Sequence, residues 1–182
     1  MNDTADFQII DPEYSICNLQ LEHAASLQRL FEQCADFNVL VDGQDVSPTA
    51  GRDIFQEVPP GRSVSDKFLY GILDRHGELA GVLEGMAHYP EVGDWWIGLL
   101  LLSPGARGKG LGRRVVEGFA DYVLTKHGKS LLLGVVEENV KAYRFWQQSG
   151  FEFVRQTEPR SFGRKMQKVT VMQRALTSQV VE

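Results

Sequence analysis

The sequence predicts an α/β (α+β) domain: one mixed, mostly antiparallel sheet of about seven strands, with helices on both faces. Three observations predict it. Early apolar segments are joined by a tight turn, later ones alternate with helical segments, and no linker or internal repeat divides the 182 residues.

YSICNLQL (14–21) reads as the first strand. From Glu22, the apolar residues Ala24, Leu27, Leu30, Phe31 and Cys34 recur at helical spacing. A short helix is predicted over 48–57, with Ser47 as cap and Pro48 in the first helical position, and PPGRS (59–63) breaks it. KFLYGILD (67–74) and ELAGVLEGMAHY (78–89) form a hairpin through Arg75, His76 and Gly77. DWWIGLLLL (94–102) ends in four apolar residues without alternation, as for a strand covered on both faces. Leu111, Val115, Val116, Phe119 and Val123 mark an amphipathic helix ending near Gly128. SLLLGVVE (130–137) is a further buried strand, 138–150 a helix closed by glycine, and 151–156 and 168–175 the last strands. A single domain is expected over 1–176, with 177–182 as a frayed tail.

Composition narrows the function. No apolar run approaches the roughly 18–20 residues that span a bilayer, and the acidic N-terminus lacks the basic region of a signal peptide, so a cytoplasmic protein away from membranes is expected. Cys17 and Cys34 read as buried or half-buried thiols. The four histidines, His23, His76, His88 and His127, are scattered, which leaves no metal site. A formal charge of −5 argues against nucleic acid as a partner. That charge is uneven: residues 1–60 hold eleven acids and two bases, residues 151–176 six bases and two acids. Two solvated faces, or two walls of one pocket, both account for it.

SPGARGKGLGRR (103–114) places Arg107, Lys109, Arg113 and Arg114 where a helix begins, although the partial positive charge of a helix N-terminus disfavours cations. Gly108, Gly110 and Gly112 allow positive φ and bring main-chain N–H groups close to a ligand. With the unpaired N–H groups of the helix end they form an anion cradle. No Lys-Ser or Lys-Thr follows the glycines, which excludes a mononucleotide loop, and Arg113 stands where a dinucleotide fingerprint needs its third glycine. Coenzyme A remains.

Arg107-Gly108-Lys109-Gly110-Leu111-Gly112 is similar to the [QR]xxGx[GA] element of the GNAT superfamily of acyl-CoA-dependent N-acyltransferases, and Pro104 matches the loop before it. Asn139, Ala142, Phe145, Trp146, Gly150 and Phe151 resemble the family's second motif, NxxAxx[FL]YxxxGF. The resemblance covers about residues 15–176. It implies a sheet splayed at the cofactor site, with acetyl-CoA (coenzyme A) bound by the glycine loop, including Leu111, and by Arg107, Lys109 and Arg113. Main-chain groups near Leu101 and Leu102 would take the pantetheine arm and acyl carbonyl, with Asn139 and Trp146 beside it. The implied reaction is direct attack of a primary amine on the thioester.

The chain departs from that pattern at both proton-handling positions. Trp96 stands where several members have a glutamate, and Trp146 replaces a tyrosine whose hydroxyl protonates the leaving thiolate. An indole N–H only donates. Glu84, amid Val82, Leu83 and Met86, is the substitute base, because burial raises a carboxyl pKa. Tyr143, one turn from both Asn139 and Trp146, is the substitute acid. Asp94 and His88 are weaker candidates. For the acceptor, Asp36, Asp42, Asp45 and Asp53 against Arg160, Arg164 and Lys165 suit a small zwitterion such as an amino acid or its derivative. A CoA-binding sensor without turnover and a protein N-terminal acetyltransferase are the competing readings. Trp95, Trp96 and exposed edge strands leave a homodimer open.

Overall fold

The computed structural model describes residues 7–177. Nine strands are present among them: β1 (Tyr14–Asn18), β2 (Lys67–Asp74), β3 (Leu79–Ala87), β4 (Asp94–Leu102), β5 (Ser130–Val136), β6 (Glu152–Gln156), β7 (Arg160–Phe162), β8 (Lys165–Gln167) and β9 (Val169–Ala175). Seven form one sheet in the order β1-β2-β3-β4-β5-β9-β6, while β7 and β8 make a separate hairpin. Within the sheet only β4 and β5 pair in parallel. The helices among these residues are α1 (Ala24–Gln33), α2 (Ala35–Asp42), α3 (Ala50–Asp53), α4 (Leu111–Thr125) and α5 (Val140–Gln148). None is long and apolar enough to cross a membrane.

The alternation along each strand sorts the apolar residues into two cores. On one face, Leu111, Val115, Val116, Phe119 and Val123 of α4 and Trp146 of α5 pack on Phe68, Tyr70, Leu83, Ile97 and Leu131. On the other, Leu27, Leu30 and Phe31 of α1 and Ile54 pack on Cys17, Leu19, Val82 and Leu101. Helices thus cover both faces. The α1–α3 contact is made backbone to backbone at Gly51. A Cβ there would stand 2.5 Å from Gln28 N, and the Gly51 N–H donates to Gln28 Oε1 at 2.9 Å.

Several expectations from sequence need correction. β1 stops at Asn18, and residues 21–23 form a 3-10 turn before α1. The helix expected over 48–57 shrinks to Ala50–Asp53. Thr49 is its N-cap residue, Ser47 Oγ accepts from Thr49 N, and residues 54–56 continue as turns. α2 is hidden in the sequence, because its apolar residues are half-buried or, at Val39, exposed, and its helical spacing runs on from that of α1. The β7–β8 hairpin is hidden too, since its two strands have three residues each and are largely polar. The expected tail lies outside the described residues from 178 onward.

One feature of the sheet positions the site. β4 and β5 pair from Asp94/Ser130 to Ile97/Leu133 and then part. β4 continues to Leu102 against β3, and β5 continues to Val136 against β9. The parting starts at Gly98, where a register shift opposite Glu84 and Gly85 makes a β-bulge that turns β4 away.

Candidate active site

The wedge between β4 and β5 opens into a cleft of about 1240 Å³, lined by residues of β4, β5, α2, α4, α5 and β7. At one end lies the turn into α4. Gly108 and Gly110 have φ of +76° and +74°, and no atom lies within 4 Å of a Cβ built on Gly108. No side chain caps α4, and its first turn holds no acid. The first N–H groups of a fifteen-residue helix are thus left for a ligand, and the helix dipole favours an anion there. Gly112 brings α4 against Phe145 of α5, at 3.2 Å from a built Cβ.

The cations around this turn divide the work. Arg113 lines the cleft; Lys109 does not. Arg114 is held back, its Nε donating to Asp11 Oδ2 at 2.7 Å and its Nη1 to the Lys109 carbonyl at 3.2 Å. Arg107 lines the cleft but is bonded within the protein. Its Nε donates to the Leu102 carbonyl at 2.8 Å, and its Nη1 donates to Asp36 Oδ2 at 2.7 Å. The hydrogen bond to Asp36 raises the Arg107 pKa further, and the same bond holds the Asp36 carboxyl below its usual range. Cys34 Sγ also donates to the Leu102 carbonyl, at 3.4 Å. Both cysteines are buried, and burial pushes the Cys34 thiol up.

Along the wedge the strand alternation decides which amides are open. Ser103 N donates to the Ala80 carbonyl across the β3–β4 ladder, so Leu101, paired with Val82, also directs its main-chain groups at β3. Leu100 and Leu102 direct theirs into the wedge. Of the two strand-end residues expected at the cofactor, Leu102 thus has its N–H on the wedge side and Leu101 on the β3 side. Opposite, Asn139 caps α5 by accepting from Ala142 N at 3.1 Å, which leaves its side-chain amide hydrogens for a ligand. Trp146 is buried on the cleft wall, edge-on to Phe145 and Phe151.

The remaining candidates separate. Glu84 does not itself line the cleft; it stands beneath the β4 bulge, its Oε2 2.5 Å from where a Cβ on the cleft-lining Gly98 would be. Lys67, with only 4% of its side chain exposed, donates to Glu84 Oε1 and to the Glu57 carbonyl. Burial raises the Glu84 pKa, although Lys67 opposes it. Tyr143 is not on the cleft wall. The lining face of α5 runs through Asn139, Ala142, Phe145 and Ser149, and residue 143 is turned about 100° from Ala142. Its ring packs against the core, and its hydroxyl accepts from Gln147. Asp94 accepts from the Ser130 hydroxyl and His88 from Gly93 N, both at the far end of β4. Trp96 lines the cleft, and Trp95 is core.

Two residues that lie against Glu84 escape the sequence. Gly98, a glycine inside an apolar strand, is the signal of a bulge. Lys67 could be found from the hairpin register, which pairs Leu69 with Glu84.

The chain resembles known acetyltransferases throughout. An acetyltransferase from Thermus thermophilus superposes with a TM-score of 0.73 at 24% identity, over 93% of this chain and 99% of that one. Spermidine N-acetyltransferase from Vibrio cholerae, solved with CoA and spermine, gives 0.72 at 15% identity, over 91% and 97%. The microcin C7 self-immunity acetyltransferase MccE, solved with acetyl-CoA and AMP, gives 0.73 at 13% identity, over 91% and 93%. At these identities the likeness shows a shared fold. No curated protein matches the sequence. The family model described as Acetyltransferase (GNAT) family matches residues 26–151, and the chain belongs to that family of acetyltransferases, whose cosubstrate is acetyl-CoA.

Proposed function

We propose that the protein transfers the acetyl group of acetyl-CoA to the primary amine of a small molecule, by direct attack in a ternary complex. The observation that carries this reading is one continuous cleft, running from the uncapped turn of α4 past the parted strands to a wall made by α2 and β7. The thioester of acetyl-CoA supplies the activated acyl group. Gly108, Gly110, Leu111 and Gly112 offer main-chain N–H groups to the pyrophosphate, with Arg113 beside them and Lys109 adding charge from just outside. Leu100 and Leu102 receive the pantetheine arm as a sheet receives an added strand. Asn139 donates to that arm, and Trp146 gives it an apolar wall.

An amine near pKa 10 is protonated at pH 7 by about a thousand to one and must lose that proton before attack. Glu84 takes it, through water reaching the bulge at Gly98; as the amine nitrogen bonds the acyl carbon the C–S bond breaks, and the CoA thiolate takes a proton from solvent. Such a base contributes about 10²–10⁴-fold, and an N–H aimed at the acyl oxygen about 10²–10³-fold.

Thiol release from acetyl-CoA in the presence of pooled primary amines tests the reading. Release matched by N-acetyl product is the expected result. Tight CoA binding without release would make the protein a sensor, and release with peptide N-termini alone would move the acceptor to proteins.

A further inference from the structure

We propose that the acceptor is a primary amine with an apolar body and a carboxylate, the carboxylate being held by Arg160; this rests on the acetyl-transfer reading above. Phe37, Leu40 and Val41 of α2, Trp96 of β4 and Phe162 of β7 give the cleft an apolar lining. That surface suits an aliphatic or aromatic group and offers no carboxylate to a string of ammonium groups.

Among the described residues two acids line the cleft, Asp36 and Glu138, and both are engaged. Asp36 is bonded to Arg107 at 2.7 Å, and Glu138 to Lys165 at 2.6 Å. The acids expected to face the amine, Asp42, Asp45 and Asp53, do not line the cleft, and neither does Arg164. A polyamine entering here would leave ammonium groups without a carboxylate, at a desolvation cost.

Arg160 is the cation on the hairpin wall. No carboxylate lies within 4 Å of it among the described residues, and its guanidinium sits 5.2 Å from the centroid of the Phe162 ring. A guanidinium steadied on an aromatic face keeps its donor fork for a planar anion, and carboxylate is its matched partner. Apolar lining, engaged acids and a guanidinium without a carboxylate together select an apolar amino acid over both a polyamine and a plain alkylamine.

The test compares thiol release for phenylalanine, leucine and methionine with release for the amines lacking their carboxylates, and with spermidine. In each pair the carboxylated member is expected to show a kcat/KM about 10–100-fold higher, the scale of a charge-assisted hydrogen bond. Arg160→Gln should collapse that ratio and Arg160→Lys should restore part of it; CoA binding by each variant verifies the fold. Faster turnover of spermidine or of the decarboxylated amines, or a ratio unmoved by Arg160→Gln, overturns this proposal alone. Absence of thiol release with every amine overturns acetyl transfer and this proposal with it.

Discussion

Arg107 of the glycine turn and Asp36 at the start of α2, 71 positions apart in the chain, are joined by two hydrogen bonds of 2.7 and 3.3 Å. The same guanidinium holds the Leu102 carbonyl, so one residue fastens the end of β4, the turn into α4 and the start of α2. Because the pair is partly exposed, its removal should cost stability no more than about 1 kcal/mol. Asp36→Ala is expected to raise the KM for acetyl-CoA about 2–5-fold with little change in Tm. The Asp36 pKa is lowered by Arg107, so the tie is complete above the ordinary carboxylate range and is lost as pH falls through the lowered value. Steady-state kinetics across the acid range, from neutral pH downward, measure this.

Glu84 answers to pH in the opposite sense. Burial raises its folded pKa, so its contribution to stability is full below the ordinary glutamate value and is lost as pH rises through the folded value. As a base it works only above that value. The acid limb of kcat should therefore lie above about pH 4.3 and vanish in Glu84→Gln, with kcat reduced by about 10²–10⁴-fold. Lys67→Met removes the charge that opposes burial and should move the limb upward. A pH–rate profile unchanged in both variants would remove Glu84 from the mechanism.

Gly110 needs its positive φ, and a Cβ there would meet Arg114 Nη1 at 3.1 Å. Gly110→Ala is expected to cost about 1–2 kcal/mol in the left-handed conformation and to weaken acetyl-CoA binding with it. Arg113→Gln should weaken binding without that strain and flatten its salt dependence. Calorimetric titration at two ionic strengths separates the two effects.

Gly51→Ala tests the packing of the α1 face. The added methyl meets the α1 backbone, which cannot move as a side chain can, and overpacking of this kind costs about 1–3 kcal/mol. Tm should fall by several degrees, and acetyl-CoA affinity should hold because the site is elsewhere.

Sequence makes the β2–β3 hairpin, β4 and the glycine turn legible because each is specified locally. Apolar alternation ends at a turn residue, and Gly108 and Gly110 stand where positive φ is required. Arg107 shows the limit of such reading. Its charge marks it as a phosphate ligand, and only the packing of α2 brings Asp36 within reach. The β7–β8 hairpin is invisible for a similar reason: Lys165, Gln167 and Arg164 N bond to the carbonyls of Leu40, Val41 and Asp42 at the end of α2. Tyr143 is misplaced from sequence because i, i+3 and i+4 spacing gives neighbours on a helix without saying which edge of the stripe meets the ligand.

The parted strands make the sheet unfinished in its middle, with Leu100 and Leu102 lacking a lateral neighbour across the gap. The pantetheine arm proposed to dock there would complete the weave, making recognition and mechanical reinforcement one event. Saturation with the cosubstrate at about a hundred times its Kd should then protect the molecule against heat by about 2.7 kcal/mol. The Leu100 and Leu102 amides, quick to trade deuterium when the gap is empty, should slow on saturation and quicken again on dilution.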